Sequence, residues 1–260
     1  MKLDITAVSV RYGRHVAVNA VDLTVAPGEI LAVLGPNGSG KSSLLRALAG
    51  VLDHDGEITW NGPASAIGYM PQDTASRAML TVFEVVLLGR MRSLSFRVAP
   101  DDLAAAEAAL AEIGIADLAS RRISTLSGGQ RQLVFIAQVL AGNPRALLLD
   151  EPTSALDIAH QLAVLALLRD VTRRRGLTTI AVLHDLNAAA RFADRLALLH
   201  RGRLVGVGAA AEILTVDRLR AVFDVEVAID AGSDGHPIVL PLRAVSADRN
   251  PAARALSFRE

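Results

Sequence analysis

Residues 35–43 read GPNGSGKSS, with three glycines crowded around one lysine and a pair of serines. The apolar run 30–34 precedes this segment, and leucines at helical spacing follow it as far as Gly50. A helix N-terminus leaves backbone N–H groups without partners, and glycines let an anion approach those groups closely. The sequence therefore predicts a phosphate-binding loop between a buried parallel strand and a helix.

The spacing within this loop gives two side chains a chemical role. It matches the Walker A pattern, in which Lys41 reaches the β- and γ-phosphates and the hydroxyl of Ser42 ligates Mg²⁺. A glycine-rich turn that matches by accident is the alternative, and the flanking strand and helix argue against it. The residues expected to hold the nucleotide here are Gly35, Pro36, Asn37, Gly38, Ser39, Gly40, Lys41, Ser42 and Ser43.

Two carboxylates end a second apolar run, at 147–149. The carboxyl end of a strand in an open α/β sheet faces the crevice where ligands bind. Asp150 is then placed for Mg²⁺, and Glu151 for polarising an attacking water. Taken alone, the pair would more simply be an acidic turn after a strand.

Gln72 and His184 are weaker candidates, because a lone glutamine or histidine near a strand is usually structural. The amide of Gln72 can orient water and contact Mg²⁺ or the γ-phosphate. The imidazole of His184 can donate a hydrogen bond to a terminal phosphate as charge develops.

A second helix start suited to anions lies at residues 126–130, which read LSGGQ. Ser127 and the glycines after it open a helix, as in the first loop. A chain with one nucleotide pocket has no obvious use for two such sites. They make sense together if two copies of the chain face each other.

Length, composition and charge limit the possible fold, binding partners and location of the protein. The chain has 260 residues, 51% of them hydrophobic, which is enough for one α/β unit or one unit with a subdomain. Its 27 basic and 27 acidic residues cancel, so no overall field attracts nucleic acid or an anionic membrane. It has no cysteine, no apolar stretch near the ~20 residues of a membrane span, and no secretory signal, so we expect a cytoplasmic protein.

The element pattern is α/β with a helical interruption. Residues 3–34 predict short antiparallel strands, including one from Val16 to Val25. The stretch of about 76–143 looks wholly helical. Within it, Asp101 and Asp102 are expected to cap a helix with Leu103, Ala106, Leu110 and Ile113 on one face.

The α/β rhythm resumes after this interruption, with strands at 146–149 and 178–183 around a helix of about 157–175. Arg173, Arg174 and Arg175 before Gly176 are better explained as last-turn cations of that helix than as a nucleic-acid site. A hairpin is expected over 196–207, and no chemistry can be assigned to 226–260.

Together these residues resemble those of an ATP-binding cassette (ABC) ATPase, over roughly residues 3–225. Tyr12 is similar to the aromatic that stacks on adenine in that family. The other correspondences are residues 35–42 with Walker A, Gln72 with the Q-loop, Leu126, Ser127, Gly128, Gly129 and Gln130 with the LSGGQ signature, Asp150 and Glu151 with Walker B, Ser154 to Asp157 with the D-loop, and His184 with the switch histidine.

The resemblance implies a P-loop NTPase (RecA-like) α/β core with an antiparallel β subdomain and an inserted α-helical subdomain. The ABC domain would span 1–225, with the helical subdomain at about 76–143 and a C-terminal extension at 226–260. Glu151, His184, Gln72 and Lys41 would be catalytic. Mg²⁺ would be held by Ser42, Gln72 and Asp150, and Asp157 would join the nucleotide site.

The resemblance also implies partners. ATP bound by the loop of one subunit would be covered by Ser127 and Gly129 of the other, in a head-to-tail homodimer. Residues 73–95 would engage an integral membrane permease, with Met79, Leu80, Phe83 and Arg90 as contacts, at the cytoplasmic face of the membrane. A substrate-binding protein would act indirectly, and no nucleic acid is expected.

Residues 81–90, 151–161 and 184–191 look like those of importers for iron-siderophore, haem and cobalamin complexes, with iron-siderophore favoured and haem next. One departure is Gln138, where most cassettes have arginine.

Two alternative functions remain. The first is a soluble ABC ATPase acting on nucleic acid or ribosomes, which lacks support because no long coiled coil and no second cassette is present. The second is a P-loop kinase, which would need neither LSGGQ nor Glu151.

Overall fold

The computed structural model describes residues 1–72, 79–90, 98–154 and 156–245. The strands are β1 Leu3–Tyr12, β2 His15–Val25, β3 Ile30–Leu34, β4 Asp55–Trp60, β5 Ile67–Met70, β6 Ala146–Asp150, β7 Thr178–Val182, β8 Arg195–His200, β9 Arg203–Gly208, β10 Val225–Ala231 and β11 Pro237–Ala244. The helices are α1 Lys41–Leu48, α2 Val82–Leu87, α3 Pro100–Ile113, α4 Gly128–Ala141, α5 Ile158–Arg175, α6 Leu186–Phe192, α7 Ala210–Ile213 and α8 Val216–Phe223.

The central sheet has six strands in the order β5-β6-β7-β3-β8-β9, all parallel except β9, which runs antiparallel to β8. Strands β3, β6 and β7 are five-residue runs in which every residue is buried. Strands that are buried at every residue fit only a sheet covered on both faces. This confirms the predicted parallel core and the predicted hairpin at its edge.

Successive residues of the central strands point into two different cores. Ile30, Ala32 and Leu34 pack with the helices α2 to α6, whereas Leu31 and Val33 pack with α1 and the second sheet. The period of two places alternate side chains on opposite faces of the sheet. The phosphate loop therefore leaves the carboxyl end of β3 at a point where hydrophobic cores cover both faces of the sheet.

The second sheet is antiparallel, in the order β2-β1-β4. The strands expected over residues 3–25 are confirmed, and β4 adds a third that the sequence analysis did not identify. Trp60, at the end of β4, donates its indole N–H to the carbonyl of Leu48 at 3.1 Å. The sheet is thereby fixed to the end of α1.

The segment predicted as wholly helical contains α2, α3 and α4, together with 3₁₀ turns at 116–118 and 123–125 and a short bridge between Thr81 and Arg122. The predicted cap of α3 is wrong. The N-cap is Ala99, because Pro100 starts the helix, and Asp102 accepts from the Ala99 N–H at 3.2 Å from within the first turn.

The buried stripe of α3 also differs from the predicted one. It consists of Ala106, Ala109, Leu110 and Ile113, and Leu103 is 40% exposed. Helix α5 ends as expected, because Gly176 takes the left-handed conformation, and the guanidinium groups of Arg173 and Arg175 form ion pairs with Asp194 and Glu112. The arginine run thus stabilises the end of a helix.

After the central sheet the chain forms α7, α8 and a hairpin of β10 and β11. Val227 and Val239 of this hairpin belong to the same core cluster as α6 and α8. No strands were expected here. The predicted division at 225 and the limits 76–143 remain predictions.

None of the helices in the described ranges is both long and apolar enough to span a bilayer.

Candidate functional site

The phosphate loop leaves β3 and enters α1 beside strand β2. Gly40 has φ 102°, and a Cβ there would lie 2.2 Å from the carbonyl oxygen of Ala17. Only glycine fits this position, because the backbone conformation and the space both exclude a side chain. The loop borders a cavity of about 650 Å³ lined by Tyr12, His15, Ala17, Asn37, Gly38, Ser39, Gly40, Lys41, Ser42, Ser43, Gln72, Glu151 and His184.

Lys41 is 6% exposed, and its ammonium donates to the carbonyls of Gly35 at 2.8 Å and Pro36 at 3.0 Å. An ammonium has three donors, so one remains for a phosphate oxygen. Burial lowers the pKa of Lys41, and the carboxylates of Glu151 and Asp150 oppose that shift. A bound polyphosphate would add negative charge and favour the charged lysine further.

Asp150 ends β6 directly beneath the loop and is fully buried. Its Oδ1 accepts from the Ser42 hydroxyl at 2.9 Å, whereas Oδ2 is buried and has no hydrogen-bond partner among the described residues. Burial raises the pKa of Asp150, the Ser42 hydrogen bond lowers it, and the Glu151 charge raises it again. An unpartnered buried carboxylate oxygen beside a hydroxyl fits a hard cation such as Mg²⁺.

Glu151 follows Asp150 with φ 55°, a conformation that costs a non-glycine residue about 1–3 kcal/mol. This turn directs its carboxylate into the cavity, where both oxygens are engaged. Gln72 donates its amide N–H to Oε2 at 2.7 Å, and the Nε2 of His184 lies 2.6 Å from Oε1. Three residues that are remote in sequence therefore meet at the loop.

Gln72 was also expected to ligate Mg²⁺. In this structure its amide nitrogen is directed at Glu151, and of the three predicted ligands only Ser42 and Asp150 lie together at the predicted metal position.

Tyr12 lies at the mouth of the cavity, 45% exposed, with its hydroxyl 3.3 Å from that of Ser43. An exposed ring beside the loop is suited to stacking on a base.

The LSGGQ segment forms the start of α4. Ser127 accepts from the Gln130 N–H at 3.3 Å, and the Gln130 side chain accepts from the Ser127 N–H at 3.1 Å, which is a capping box. Gly129 contacts the His160 ring closely, since a Cβ on Gly129 would lie 2.9 Å from its Cδ2. His160 is in turn held by Asp157, the N-cap of α5, at 2.7 Å.

Within the described part of the chain, none of Ser127, Gly128, Gly129, Gln130 and Asp157 lines the cavity at the phosphate loop. The structure thus brings the loop, Gln72, Glu151 and His184 into one site and the signature and D-loop residues into another. Ala155 of the D-loop lies outside the described residues. Binding of an anion at the signature remains a prediction.

A model of the ABC transporter family matches residues 18–154, which include the loop, the signature and both carboxylates. The chain belongs to the ABC transporter family. As an ABC protein it binds ATP and is an ATPase, and the predicted fold class is confirmed.

Two relatives of this ABC protein are hemin import ATP-binding proteins named HmuV. That of Myxococcus xanthus is 42% identical, covering 93% of this chain and 97% of its own. That of Mesorhizobium japonicum is 39% identical, covering 88% and 94%. A solved metal-chelate type ABC transporter, in an inward-facing conformation, is 32% identical with a TM-score of 0.84, covering 93% of this chain and 97% of that one.

Two further residues, His15 and Ala17, line the cavity and were not predicted from the sequence. Both lie on β2, which reaches the loop only through tertiary packing, and neither carries a local signal. In the described part of the chain, Gly40 and Gly202 both pack against the carbonyl of Ala17, and such contacts between distant segments appear only in the tertiary structure.

Proposed function

We propose that this ATPase subunit powers uptake of haem through a separate membrane permease. The observation that carries the ATPase mechanism is the convergence of Gln72 and His184 on Glu151 beside the phosphate loop. The haem cargo is supported by relatives named for hemin import that align over almost the whole chain. Among the cargoes that the sequence pattern allowed, these relatives favour haem over an iron-siderophore or cobalamin complex.

In the proposed reaction, the backbone N–H groups at the start of α1 and the third N–H of Lys41 bind the phosphates. Glu151 accepts a hydrogen bond from the attacking water, and Gln72 holds its carboxylate in place. His184, which contacts Glu151 before ATP binds, lies at the rim of the same cavity and turns to donate to the terminal phosphate as charge develops. Ser42 and Asp150 would hold Mg²⁺, which neutralises charge on the phosphate oxygens when bound.

The second surface is assigned to a partner copy. In a head-to-tail homodimer, Ser127 and Gly129 of one subunit cover the ATP held by the loop of the other. Among the described residues the signature does not line its own subunit's cavity, and the N–H groups of Gly128 and Gly129, which the capping box leaves free of Ser127, are suited to a γ-phosphate. Asp157, joined to the same surface through His160, would contact the nucleotide site across the interface.

The permease is proposed to contact the segment after Gln72. Met79 is 77% exposed, whereas Leu80 and Phe83 are partly buried against the helical core. Arg90 is a weaker candidate, because its guanidinium is engaged by Asp102 at 2.9 Å and by the carbonyl of Ala141 at 3.4 Å. Contact here places the subunit at the cytoplasmic face of the membrane, with a substrate-binding protein acting from the other side and no nucleic acid involved.

The test is reconstitution of the full chain with its permease in liposomes, followed by ATPase assays. The substrate-binding protein is supplied loaded with hemin, with a ferric siderophore or with cobalamin, and Glu151→Gln serves as the inactive control. We expect hemin to stimulate turnover, and uptake to require ATP. Stimulation by a siderophore or cobalamin instead would overturn the assignment of haem as the cargo. Stimulation of the chain alone by nucleic acid would support a soluble ABC ATPase that acts on nucleic acid.

A further inference from the structure

The side chain of Asn187 binds the backbone of the C-terminal hairpin at both of its polar atoms. Its Nδ2 donates to the carbonyl of Val239 at 3.1 Å, and its Oδ1 accepts from the N–H of the same residue at 2.7 Å. Val239 is 2% exposed and lies in β11. One amide thus pairs with both the N–H and the C=O of a buried strand residue. Leaving these two groups unpaired would destabilise the fold.

Asn187 occupies the first turn of α6, just after His184. Asp185 between them is the N-cap and accepts from the N–H groups of Asn187 at 2.8 Å and Ala188 at 3.0 Å. His184 itself contacts Glu151. A path of hydrogen bonds and one peptide link, between Asp185 and His184, therefore runs from the hairpin to the carboxylate at the reaction centre.

A second contact holds α6 to the hairpin one turn later. Arg191 pairs with Asp234, in the connection between β10 and β11, at 2.7 Å. This ion pair is exposed, so we expect it to contribute less than the Asn187 contact to holding α6 against the hairpin. The hairpin itself is anchored to the core by Val227 and Val239, which makes it a fixed support for the helix.

We propose that Asn187 is a positioning residue for His184, and that the C-terminal hairpin is the support against which it works. The hairpin thereby acquires a part in ATP hydrolysis although no atom of it lines the cavity among the described residues. Loss of the contact would let the first turn of α6 move and would weaken the approach of His184 to Glu151 while leaving the phosphate loop intact. This inference rests on the proposed mechanism.

The test is Asn187→Ala in the full chain, measured as kcat and KM for ATP together with the imidazole NMR signals of His184. Those signals are assigned by their loss in His184→Ala. We expect kcat to fall about three- to tenfold, KM to stay within about twofold, and the His184 signals to shift. Glu226→Gln is the matched control, because it removes an ion pair within the hairpin, with Arg243, and its carboxylate makes no hydrogen bond to α6 among the described residues.

If Asn187→Ala does not fold, Asn187→Asp is used in its place. It keeps the acceptor for the Val239 N–H, loses the donor, and adds a carboxylate charge that the N-terminus of α6 favours. An unchanged kcat in the folded variant overturns the inference. So does a lower kcat with unmoved His184 signals, or an equal loss in Glu226→Gln. Absence of ATP hydrolysis by the unmodified chain, alone and with its permease, is the separate result that would overturn the proposed mechanism.

Discussion

The Nε2 atom of His184 lies 2.6 Å from Oε1 of Glu151, at the carboxyl ends of two adjacent strands of the central sheet. The contact fixes the carboxylate from one side while Gln72 fixes it from the other. A carboxylate with both oxygens engaged has a defined orientation toward the phosphate loop.

Replacing Glu151 with glutamine is expected to abolish turnover and leave ATP binding intact. The amide keeps the shape and can still bond to Gln72, but it cannot act as a base, so kcat should fall by at least about 10²-fold. The variant should accumulate as an ATP-bound dimer, measured by light scattering after size-exclusion chromatography. Glu107→Gln on the exposed face of α3 is the control, and near-normal hydrolysis by Glu151→Gln would remove Glu151 from its role.

Replacing Asp150 with asparagine separates metal binding from folding. The neutral amide removes a buried charge, so the free energy of unfolding without metal should be unchanged or higher. The Mg²⁺ concentration for half-maximal ATPase activity should rise at least about tenfold, because a charged ligand is lost. Titrations of activity and of thermal stability with Mg²⁺ measure both effects, with Asp230→Asn as control. An unaltered Mg²⁺ requirement would contradict the assignment.

Ser127 combines a helix cap with a proposed contact to the partner's nucleotide, and two substitutions distinguish these roles. Ser127→Ala should cost about 1 kcal/mol in unfolding free energy, because the Gln130 N–H loses its acceptor. Ser127→Asp should retain the cap and yet prevent ATP-dependent dimerisation, since its carboxylate would face the γ-phosphate. Urea unfolding and size-exclusion chromatography with ATP measure the two effects. Normal dimerisation of Ser127→Asp would argue against the head-to-tail arrangement.

Acid stability should depend on Asp102. The Arg90 guanidinium, followed by the N–H of Ala99, holds the pKa of Asp102 below its ordinary value. A carboxyl with a lowered folded-state pKa stabilises the protein above its unfolded-state pKa of about 3.9, and that stabilisation is lost as the pH falls through the folded-state pKa. Asp102→Asn should therefore be less stable than the unmodified chain near pH 7, and the difference should shrink toward pH 2.

The measurement for Asp102 is the urea midpoint as a function of pH. Asp101→Asn, in the same helical turn, is the matched control. A stability difference that persists unchanged into strong acid would show that Asp102 acts by packing and not by charge.

The elements predicted best were those whose signal is local. The strand at 30–34, the loop after it and the end of α5 at Gly176 all follow from contiguous residues. The predicted cap of α3 was wrong because Pro100, whose missing N–H suits the first helical position, starts the helix before the two aspartates. The strand β11 was missed because Pro237 and Pro241 weaken a strand pattern, although the turn at 232–235 between two apolar segments was a usable signal.

The phosphate loop, the signature and the family could be identified from the sequence by itself, because these motifs consist of backbone N–H groups and side chains at fixed short spacing. Only the tertiary structure decided that Gln72, Glu151 and His184 share one cavity and that Asn187 rests on the hairpin. The physical reason is that contacts between distant segments arise from strand order and from packing on the two faces of the sheet. No local pattern encodes that order.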